Sequence, residues 1–354
     1  ALRQQHSVFT GKTHTVEFAF GGVGINSHWG TPQNPWDEHN HRAPGGSSSG
    51  AGVSLCEGSA LVALGSDTAG SVRIPASVTG NVGLKTSYGR WPVTGVFPLS
   101  PTLDTTGILT RTVEDAVVAF SAIDPHQRSF GPRLTRQVAQ CQPSDFVIGI
   151  GERSLWEGCD PGICETVDDA IKELSQAGVR AIEATLPEIT PAIELLKIGS
   201  VAAAEIDEML ETTAPDSRDT LDPLVSSRIK EGGSISASEY LRRRRKLRSL
   251  SRAANARFET CQVIVSPTVA ITPPKVSDVQ TIETYRPKNL GMLKNTCGAN
   301  YLNLCAITIP IGLDNAGMPV GLQLMAKHNH DESLLAIARC MEKILGSGAS
   351  RLNS

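Results

Sequence analysis

Apolar and polar positions along the chain follow two periods, one typical of strands and one typical of helices. Short apolar runs bounded by turn residues predict strands at 82–85, 146–150, 179–184, 263–265, 306–311 and 320–325. Apolar positions three and four residues apart predict helices at 112–123, 164–176 and 332–344, and residues 186–260 are predominantly helical in pattern. Because strands and helices alternate, we predict the α/β class, with a central mixed β-sheet covered by helices on both faces.

The first ten residues carry a weaker pattern. Residues 1–5 resemble the last turn of a helix, and residues 7–10 resemble a strand. The chain also begins without an initiator methionine and without the charged-then-apolar pattern of a signal peptide. We therefore expect Ala1 to lie inside a longer protein.

Charge and hydrophobicity narrow the function classes. The 354 residues carry 33 Lys and Arg against 36 Asp and Glu, a net charge of −3, which argues against a general nucleic-acid or membrane-surface protein. Hydrophobic residues make up 40% of the chain, enough for a sizeable core, and no apolar run of about 18 residues predicts a transmembrane helix. The basic run at 242–246, with Arg248, is interpreted as a solvated helix or one with internal ion pairs.

Cysteine and histidine positions do not indicate a metal centre. The eight cysteines are scattered without a CxxC pair, which favours reduced, structural thiols in a cytoplasmic protein. The pairs His39/His41 and His328/His330 lie in polar stretches without a third ligand at useful spacing. We interpret them as loop histidines and expect neither a metal ion nor an organic cofactor.

Three short motifs match known patterns only formally. Residues 46–50 match the G-x-S-x-G elbow of α/β-hydrolases, but a polar loop stands at 37–44, where that elbow needs a strand. Residues 227–230 match S-x-x-K without the companion motifs of the penicillin-recognising enzymes. Residues 21–24 are glycine-rich but do not form a dinucleotide-binding fingerprint.

Two turns rich in glycine and hydroxyl residues, at 45–50 and 65–71, flank an Ala- and Gly-rich helix that runs into a strand over 51–64. A serine there is a weak nucleophile unless a base takes its proton, and no histidine lies in a suitable context. The base would then be a lysine made neutral by burial. Consecutive backbone N–H groups at 68–71 can bind an oxyanion. The residues alone leave open a hydrolase site or glycines that only pack the turns.

At these turns the sequence resembles the amidase signature family. The matching stretches are residues 11–19, 34–36, 45–48, 65–76, 80–85, 88–90, 265–268 and 317–323, which cover nearly the whole chain in order. The resemblance implies a single amidase-signature domain over residues 1–354, with 186–260 as a helical subregion that shapes the substrate pocket. It implies a hydrolase that cleaves a carboxamide C–N bond and releases a carboxylate and ammonia or an amine.

The resemblance also implies a Ser–cis-Ser–Lys triad. Ser71 matches the nucleophile, and Ser47 matches the bridging serine that relays a proton between the nucleophile and the lysine. We predict that the Gly46–Ser47 peptide bond is cis and that the Ser47 hydroxyl lies within hydrogen-bonding reach of Ser71. The oxyanion hole and its supports match Thr68, Ala69, Gly70 and Ser71 by their backbone, with Ser48 and Asp67 beside them.

No residue of this sequence matches the family's catalytic lysine. Lys12 and Lys85 belong to other matched stretches, which do not have that role in the family. We expect an upstream segment to supply the lysine; the alternative is a catalytically inactive homologue that lacks it.

A further alternative is the glutaminase-type subunit of a tRNA-dependent amidotransferase, which works with partner proteins. That subunit resembles Gly-Ser-Ile-Arg-Gln-Pro after the nucleophile, whereas residues 70–75 here read Gly-Ser-Val-Arg-Ile-Pro. We expect a small-molecule amide as substrate, no nucleic-acid or membrane partner, and an arrangement compatible with a homodimer. The sequence does not identify the amide.

Overall fold

The apolar runs of the sequence pair into one mixed sheet. The structure, a computed structural model, describes residues 2–130 and 133–352. Within them the strands are β1 (Val62–Asp67), β2 (Val82–Lys85), β3 (Thr105–Thr110), β4 (Val147–Ile150), β5 (Arg180–Glu183), β6 (Val263–Pro267), β7 (Cys305–Leu313) and β8 (Pro319–Ala326). Their order in the sheet is β1-β3-β2-β7-β8-β6-β4-β5. The pairs β4–β5 and β4–β6 are parallel, and the other pairs are antiparallel.

Helices cover the sheet. They are α1 (Ser49–Cys56), α2 (Arg73–Val78), α3 (Val113–Ile123), α4 (Pro125–Phe130), α5 (Arg133–Gln140), α6 (Ile163–Gln176), α7 (Ile189–Lys197), α8 (Val201–Thr213), α9 (Pro223–Gly233), α10 (Ala237–Asn255), α11 (Ile282–Leu293), α12 (Cys297–Tyr301), α13 (Asp331–Leu345) and α14 (Gly348–Arg351). Short polar residues begin several of them. Ser236, for example, accepts a hydrogen bond from the Glu239 amide at the start of α10.

Both faces of the central strands are buried, which explains their continuous apolar runs. Val263 and Val265 of β6 pack into a core with α3, α6 and α13, whereas Ile264 between them packs into a second core with α7, α8 and α12. Ile307 and Ala306 of β7 divide between the same two cores. The predicted α/β class, with a mixed sheet and helices on both faces, is therefore confirmed.

Two sequence predictions about elements need correction. Residues 7–10 do not form a strand, because Val8 and Phe9 are 87% and 58% exposed and have no neighbouring strand to pair with among the described residues. Strand β3 has no clear alternation in sequence and is absent from the predicted elements. It forms because it lies between β1 and β2, with Ile108 opposite Leu64 on one side and Leu84 on the other.

Residues 186–260 contain α7 to α10 and no strand, as their pattern predicts. Their apolar side chains, such as Ile206 and Leu247, pack into the second core. This helical layer lies next to the turn between β1 and α2, where the sequence places the candidate nucleophile, and it supplies part of the cavity described below.

Candidate active site

The turn between β1 and α2 is held from inside by the Asp67 carboxylate. Asp67 is fully buried and accepts hydrogen bonds from the amides of Gly70 at 2.8 Å and Val72 at 3.1 Å. Burial acts to raise the pKa of this carboxyl, but the charge and hydrogen bonds of Arg73 outweigh it and lower the pKa. Asp67 is therefore ionised at neutral pH, and its hydrogen bonds fix the conformation of the turn.

Arg73 is the ionic partner of Asp67 and is equally buried. Its Nη2 lies 2.9 Å from Asp67 Oδ1, and its Nε lies 3.1 Å from Oδ2. The remaining guanidinium protons are donated to the Thr296 carbonyl at 2.8 Å, Gln323 Oε1 at 2.5 Å and Asn300 Oδ1 at 2.7 Å. A buried charge pair is tolerated because every donor has a partner, and the pair joins the turn to β8 and α12.

The second glycine- and serine-rich turn contains the predicted cis peptide bond. The bond between Gly46 and Ser47 is cis, which confirms the sequence prediction. The turn packs against the backbone of residues 21–24: Gly46 donates its amide to the Gly22 carbonyl at 2.8 Å. A Cβ at Gly46 would lie 2.7 Å from the Gly21 carbonyl oxygen, so only glycine fits there.

Backbone atoms, and not hydroxyls, join the two turns. The Ser48 amide donates to the Ser71 carbonyl at 3.2 Å, which places the cis turn directly beside the candidate nucleophile. Within the described part of the chain, the hydroxyls of Ser47 and Ser71 do not hydrogen-bond each other. The structure therefore shows the predicted proximity of the turns without the predicted contact between hydroxyls.

One backbone amide of the candidate oxyanion hole has a partner within the turn. The Gly70 amide already donates to Asp67, so it is not available to a substrate oxygen in this conformation. This leaves the amides of Thr68, Ala69 and Ser71 as candidate donors. Gly70 instead has a packing role: its φ is +135°, and a Cβ there would lie 2.1 Å from Thr296 Oγ1.

Side chains around the turn hold its other residues. Thr68 donates its hydroxyl to Asp104 Oδ1 at 2.6 Å, and Asp104 Oδ2 accepts the amides of Leu99 and Ser100. Thr296 donates its hydroxyl to the Ala69 carbonyl at 2.7 Å. The peptide units at Thr68 and Ala69 are therefore oriented from outside the turn, as an anion-binding backbone requires.

Lys85 is a buried lysine near these turns, but it has structural partners. Its Nζ donates to the carbonyls of Thr86 at 2.8 Å and Leu304 at 2.9 Å. Burial lowers its pKa to about 8, against the opposing charge of Asp67. Because it hydrogen-bonds neither serine within the described residues, the structure does not assign it the role of the base.

Ser71 opens onto a cavity of about 100 Å³ between the β1–α2 turn and the helical layer. Thr68, Ala69 and Ser71 line one part of it, and Ser47 does not line it. Most other lining side chains are apolar or small. They come from α7, α8 and α11 and from the segments at 19–21 and 99–103: Phe20, Leu99, Leu103, Leu196, Ala202, Ala203, Leu290 and Leu293. A small substrate in this cavity would meet the Ser71 hydroxyl and the amides of the turn together.

The remaining candidates lie outside this cavity. His39, His41 and His330 are exposed and His328 is half-buried, as expected of loop histidines. The basic run lies on α10, where Arg243 pairs with Glu239 at 2.8 Å and Arg245 is exposed. Both interpretations offered for that run are therefore present on one helix.

Sequence reasoning missed the residues that act on the turn from a distance. Arg73 and Gln323 lie inside matched stretches, so a signal was present, but nothing in the sequence showed that they touch each other. Asp104 and Thr296 had no signal of their own, because their partners are 36 and 227 residues away in the chain.

The described residues form neither a metal-binding cluster nor a membrane-spanning helix. Within residues 2–130 and 133–352, no cluster of three or more His, Cys, Asp or Glu side chains is arranged to hold a metal ion. None of the helices there is both long and apolar enough to span a bilayer.

Comparison with known proteins gives the family of the chain. The family model described as Amidase matches residues 1–335. The 2-amino-5-chloromuconic acid deaminase of Comamonas testosteroni is 45% identical over 353 residues, which is 100% of this chain and 75% of that protein. A glutamyl-tRNA(Gln) amidotransferase subunit of Akkermansia muciniphila is 33% identical over 94% of this chain and 77% of its own length.

Solved structures show the same fold. A 6-aminohexanoate cyclic dimer hydrolase superposes with a TM-score of 0.85 at 24% identity, covering 97% of this chain and 77% of that one. A structure described as an amidase superposes with a TM-score of 0.83 at 25% identity, covering 98% and 76%. The chain belongs to the amidase family, and it is an amidohydrolase that acts on the carbon–nitrogen bond of amides.

Proposed function

We propose that Ser71 is the nucleophile of this amidohydrolase and that Ser47 relays its proton. Ser71 Oγ attacks the amide carbonyl, and the amides of Thr68, Ala69 and Ser71 stabilise the oxyanion. The proton passes through Ser47 to a neutral lysine, the base that the family resemblance implies, and returns to the leaving nitrogen. Water then hydrolyses the acyl-enzyme, which yields a carboxylate and ammonia or an amine. The proposal requires no metal or cofactor.

One observation carries this proposal. Ser71 is the serine that both lines the cavity and belongs to a turn whose amides are oriented by buried groups. The closeness of Ser47, whose neighbour Ser48 hydrogen-bonds the Ser71 carbonyl, supports the relay. Residues 186–260 supply Lys197, Ala202 and Arg228 to the cavity, which supports their role in shaping the substrate pocket.

Ammonia release by the complete natural protein, measured over a panel of amides, tests the nucleophile. We expect Ser71→Ala to lose activity by about 10⁴-fold or more, because the acyl-enzyme cannot form. Ser59→Ala is the matched control: Ser59 is exposed on the turn between α1 and β1 and should keep wild-type activity. Undiminished activity in Ser71→Ala would remove the assignment, and loss in both variants would show a folding defect.

The likeness to an amidotransferase subunit supports a second candidate, a glutaminase-type protein that works in a complex. The two candidates differ in their need for partners. Hydrolysis of simple amides by the isolated protein supports the first, whereas glutamine hydrolysis that appears only when partner proteins copurify supports the second. The same assay tests the inactive alternative, because a homologue without the lysine releases no ammonia from any amide.

The setting of the enzyme is inferred from its chemistry. The substrate is a small molecule, as the cavity volume and the amidase relatives indicate. We infer a cytoplasmic enzyme, because all eight cysteines are free thiols in the structure. Sedimentation of the purified protein, with and without added tRNA, tests whether it forms a homodimer and whether it leaves nucleic acid unbound.

A further inference from the structure

The cavity beside Ser71 is apolar along most of its wall but carries an excess of positive charge at one part. Its charged lining residues are Lys197, Arg228, Glu231 and Arg286, three cations against one anion. Two of the cations have their own partners, because Arg286 pairs with Glu231 and Lys197 pairs with Glu194. Arg228 is therefore the lining cation whose charge needs an explanation.

Arg228 lies on α9 and is held in place without a carboxylate. Its Nη1 donates to the Phe20 carbonyl at 2.7 Å, and its guanidinium lies 4.1 Å from the centre of the Phe20 ring. The Tyr285 ring lies on a second side at 5.7 Å. Two aromatic rings and one carbonyl orient the planar guanidinium group but do not neutralise its charge.

No side chain among the described residues forms an ion pair with Arg228. Burial in the cavity wall acts to lower the pKa of its guanidinium, and Arg286 acts in the same direction; Tyr285 and Glu231 oppose this effect but do not outweigh it. A cation in such a place is costly unless something opposes its charge, and the side of the fork that faces the cavity is open to a ligand. A bound carboxylate would supply the opposing charge and accept two parallel hydrogen bonds.

Asn289 adds a second donor to the same part of the wall. It is buried and lines the cavity, and its Oδ1 already accepts hydrogen bonds from the Gly22 amide at 2.7 Å and the Tyr285 hydroxyl at 3.2 Å. With Oδ1 engaged, the assignment of its amide is settled, and its Nδ2 protons are left for a ligand. A guanidinium and an amide NH₂ together match the acceptors of one carboxylate.

From this arrangement we propose that the substrate is an amide that carries a carboxylate at its other end, and that Arg228 with Asn289 binds that carboxylate while Ser71 attacks the amide. The inference rests on the proposed role of Ser71. The apolar wall between the two ends, formed by residues such as Leu99, Leu103 and Leu293, fits a short hydrocarbon segment. Hydrolysis of such a monoamide consumes one water and yields a dicarboxylate and ammonia.

Paired substrates test the carboxylate site. The monoamides of succinic, glutaric and adipic acid are compared with butanamide, pentanamide and hexanamide, which have the same numbers of carbon atoms and no charge. For the wild type we expect kcat/KM to be at least about tenfold higher with the charged member of the best pair. Arg228→Gln should lower kcat/KM for that monoamide by about 10- to 100-fold, mainly through KM, and change the neutral amide less than about threefold.

The controls separate charge, geometry and folding. Arg228→Lys keeps the charge but not the fork, so its loss should be intermediate. Arg245→Gln removes one exposed charge from α10 and should change neither substrate class. Thermal unfolding of each variant shows whether it is folded; if Arg228→Gln is not, Arg228→Lys carries the test through its split between charged and neutral amides.

A binding measurement completes the test without turnover. Adipate should bind the wild type and Ser71→Ala in calorimetry, and Arg228→Gln should weaken that binding by about tenfold or more. Equal losses on charged and neutral amides, no wild-type preference, or no adipate binding would overturn the carboxylate site. None of these results would affect the assignment of Ser71 as the nucleophile. Full activity of Ser71→Ala would overturn that assignment and leave the carboxylate site in place.

Discussion

Thr68 joins the β1–α2 turn to the loop at 99–104 through a single side-chain hydrogen bond, from its hydroxyl to Asp104. Thr68→Val keeps the shape of the side chain but leaves one oxygen of a buried carboxylate without its donor. We expect the free energy of unfolding to fall by about 1–3 kcal/mol. We also expect kcat to fall by about tenfold, because the Thr68 amide loses its orientation. Urea unfolding and steady-state kinetics on one amide measure both effects.

The same exchange at Thr106 provides a matched control. Thr106 lies on β3, and its Oγ1 is buried without a partner among the described residues. Thr106→Val should therefore leave activity unchanged and stability equal or higher, while Thr68→Ser should restore most of what Thr68→Val loses. Equal losses in the two valine variants would show that the Asp104 bond has no special effect on the site.

For single residues, the sequence pointed to the proposed nucleophile and relay serines but not to the groups that hold their turns. Ser47 and Ser71 stand in glycine-rich turns whose composition indicates close backbone approach. The engaged state of the Gly70 amide was not predictable, because it depends on where the Asp67 carboxylate points once Arg73 is bound. Even a hydrogen bond between residues close in the chain cannot be predicted from the sequence when its direction depends on a buried ion pair.

The turn from Asp67 to Arg73 behaves as one element built on an ion pair. Arg73→Met leaves the fully buried Asp67 carboxylate without its cation, and we expect a loss of about 3–5 kcal/mol in the free energy of unfolding. Since Asp67 organises the amides of the turn, activity should fall with stability even at temperatures where the variant remains folded. Urea unfolding, with ammonia release assayed below the transition, measures both.

Arg242→Met is the control for the loss of a charge from a helix. Arg242 is exposed on α10 and pairs with Glu239 at the surface, so its replacement should change stability little. If Arg73→Met were as mild as Arg242→Met, the conformation of the turn would not depend on the Asp67–Arg73 pair.

Elements differed in how well the sequence predicted them. Strands β6 to β8 were predictable because both faces are buried and the apolar run is continuous. Strand β3 and helix α2 were not, since β3 depends on partners on both sides and α2 is only six residues long. The strand predicted at residues 7–10 is wrong for the opposite reason, because a segment with strand-like composition does not form a strand without a neighbouring strand to pair with.

At the scale of the whole molecule, Lys85 couples stability to pH. The pKa of Lys85 is lowered by burial from 10.5 to about 8 in the folded state, so the unfolded chain binds more protons in the window between these values. Stability from this residue therefore rises with pH from about 8 upward. Between pH 7.5 and 9 we expect a gain of about 1 kcal/mol.

The comparison between wild type and Lys85→Met isolates that contribution. Buried thiols such as Cys297 have raised pKa values and act in the opposite direction above pH 9, so the wild-type profile alone is not decisive. Urea unfolding at both pH values should show a pH-dependent difference between the two proteins. A constant difference would mean that Lys85 stays protonated throughout the window.

The overall class was predictable because alternating strand and helix patterns have few packed solutions, whereas the cavity was not. Its wall combines Phe20, Ser71, Leu196, Arg228 and Asn289, which lie far apart in the chain. The segment 227–230, whose S-x-x-K match is only formal, contains Arg228, which lines the cavity, whereas Lys230 is exposed.

In the proposed mechanism, Ser71 carries the acyl group during turnover. The most direct test is mass spectrometry of peptides from the complete natural protein, quenched with acid while it hydrolyses an amide. We expect a mass increase equal to the acyl group on the peptide that contains Ser71, and no such increase in Ser71→Ala or in enzyme without substrate. An acyl group on another residue, or turnover at the wild-type rate by Ser71→Ala, would contradict this mechanism.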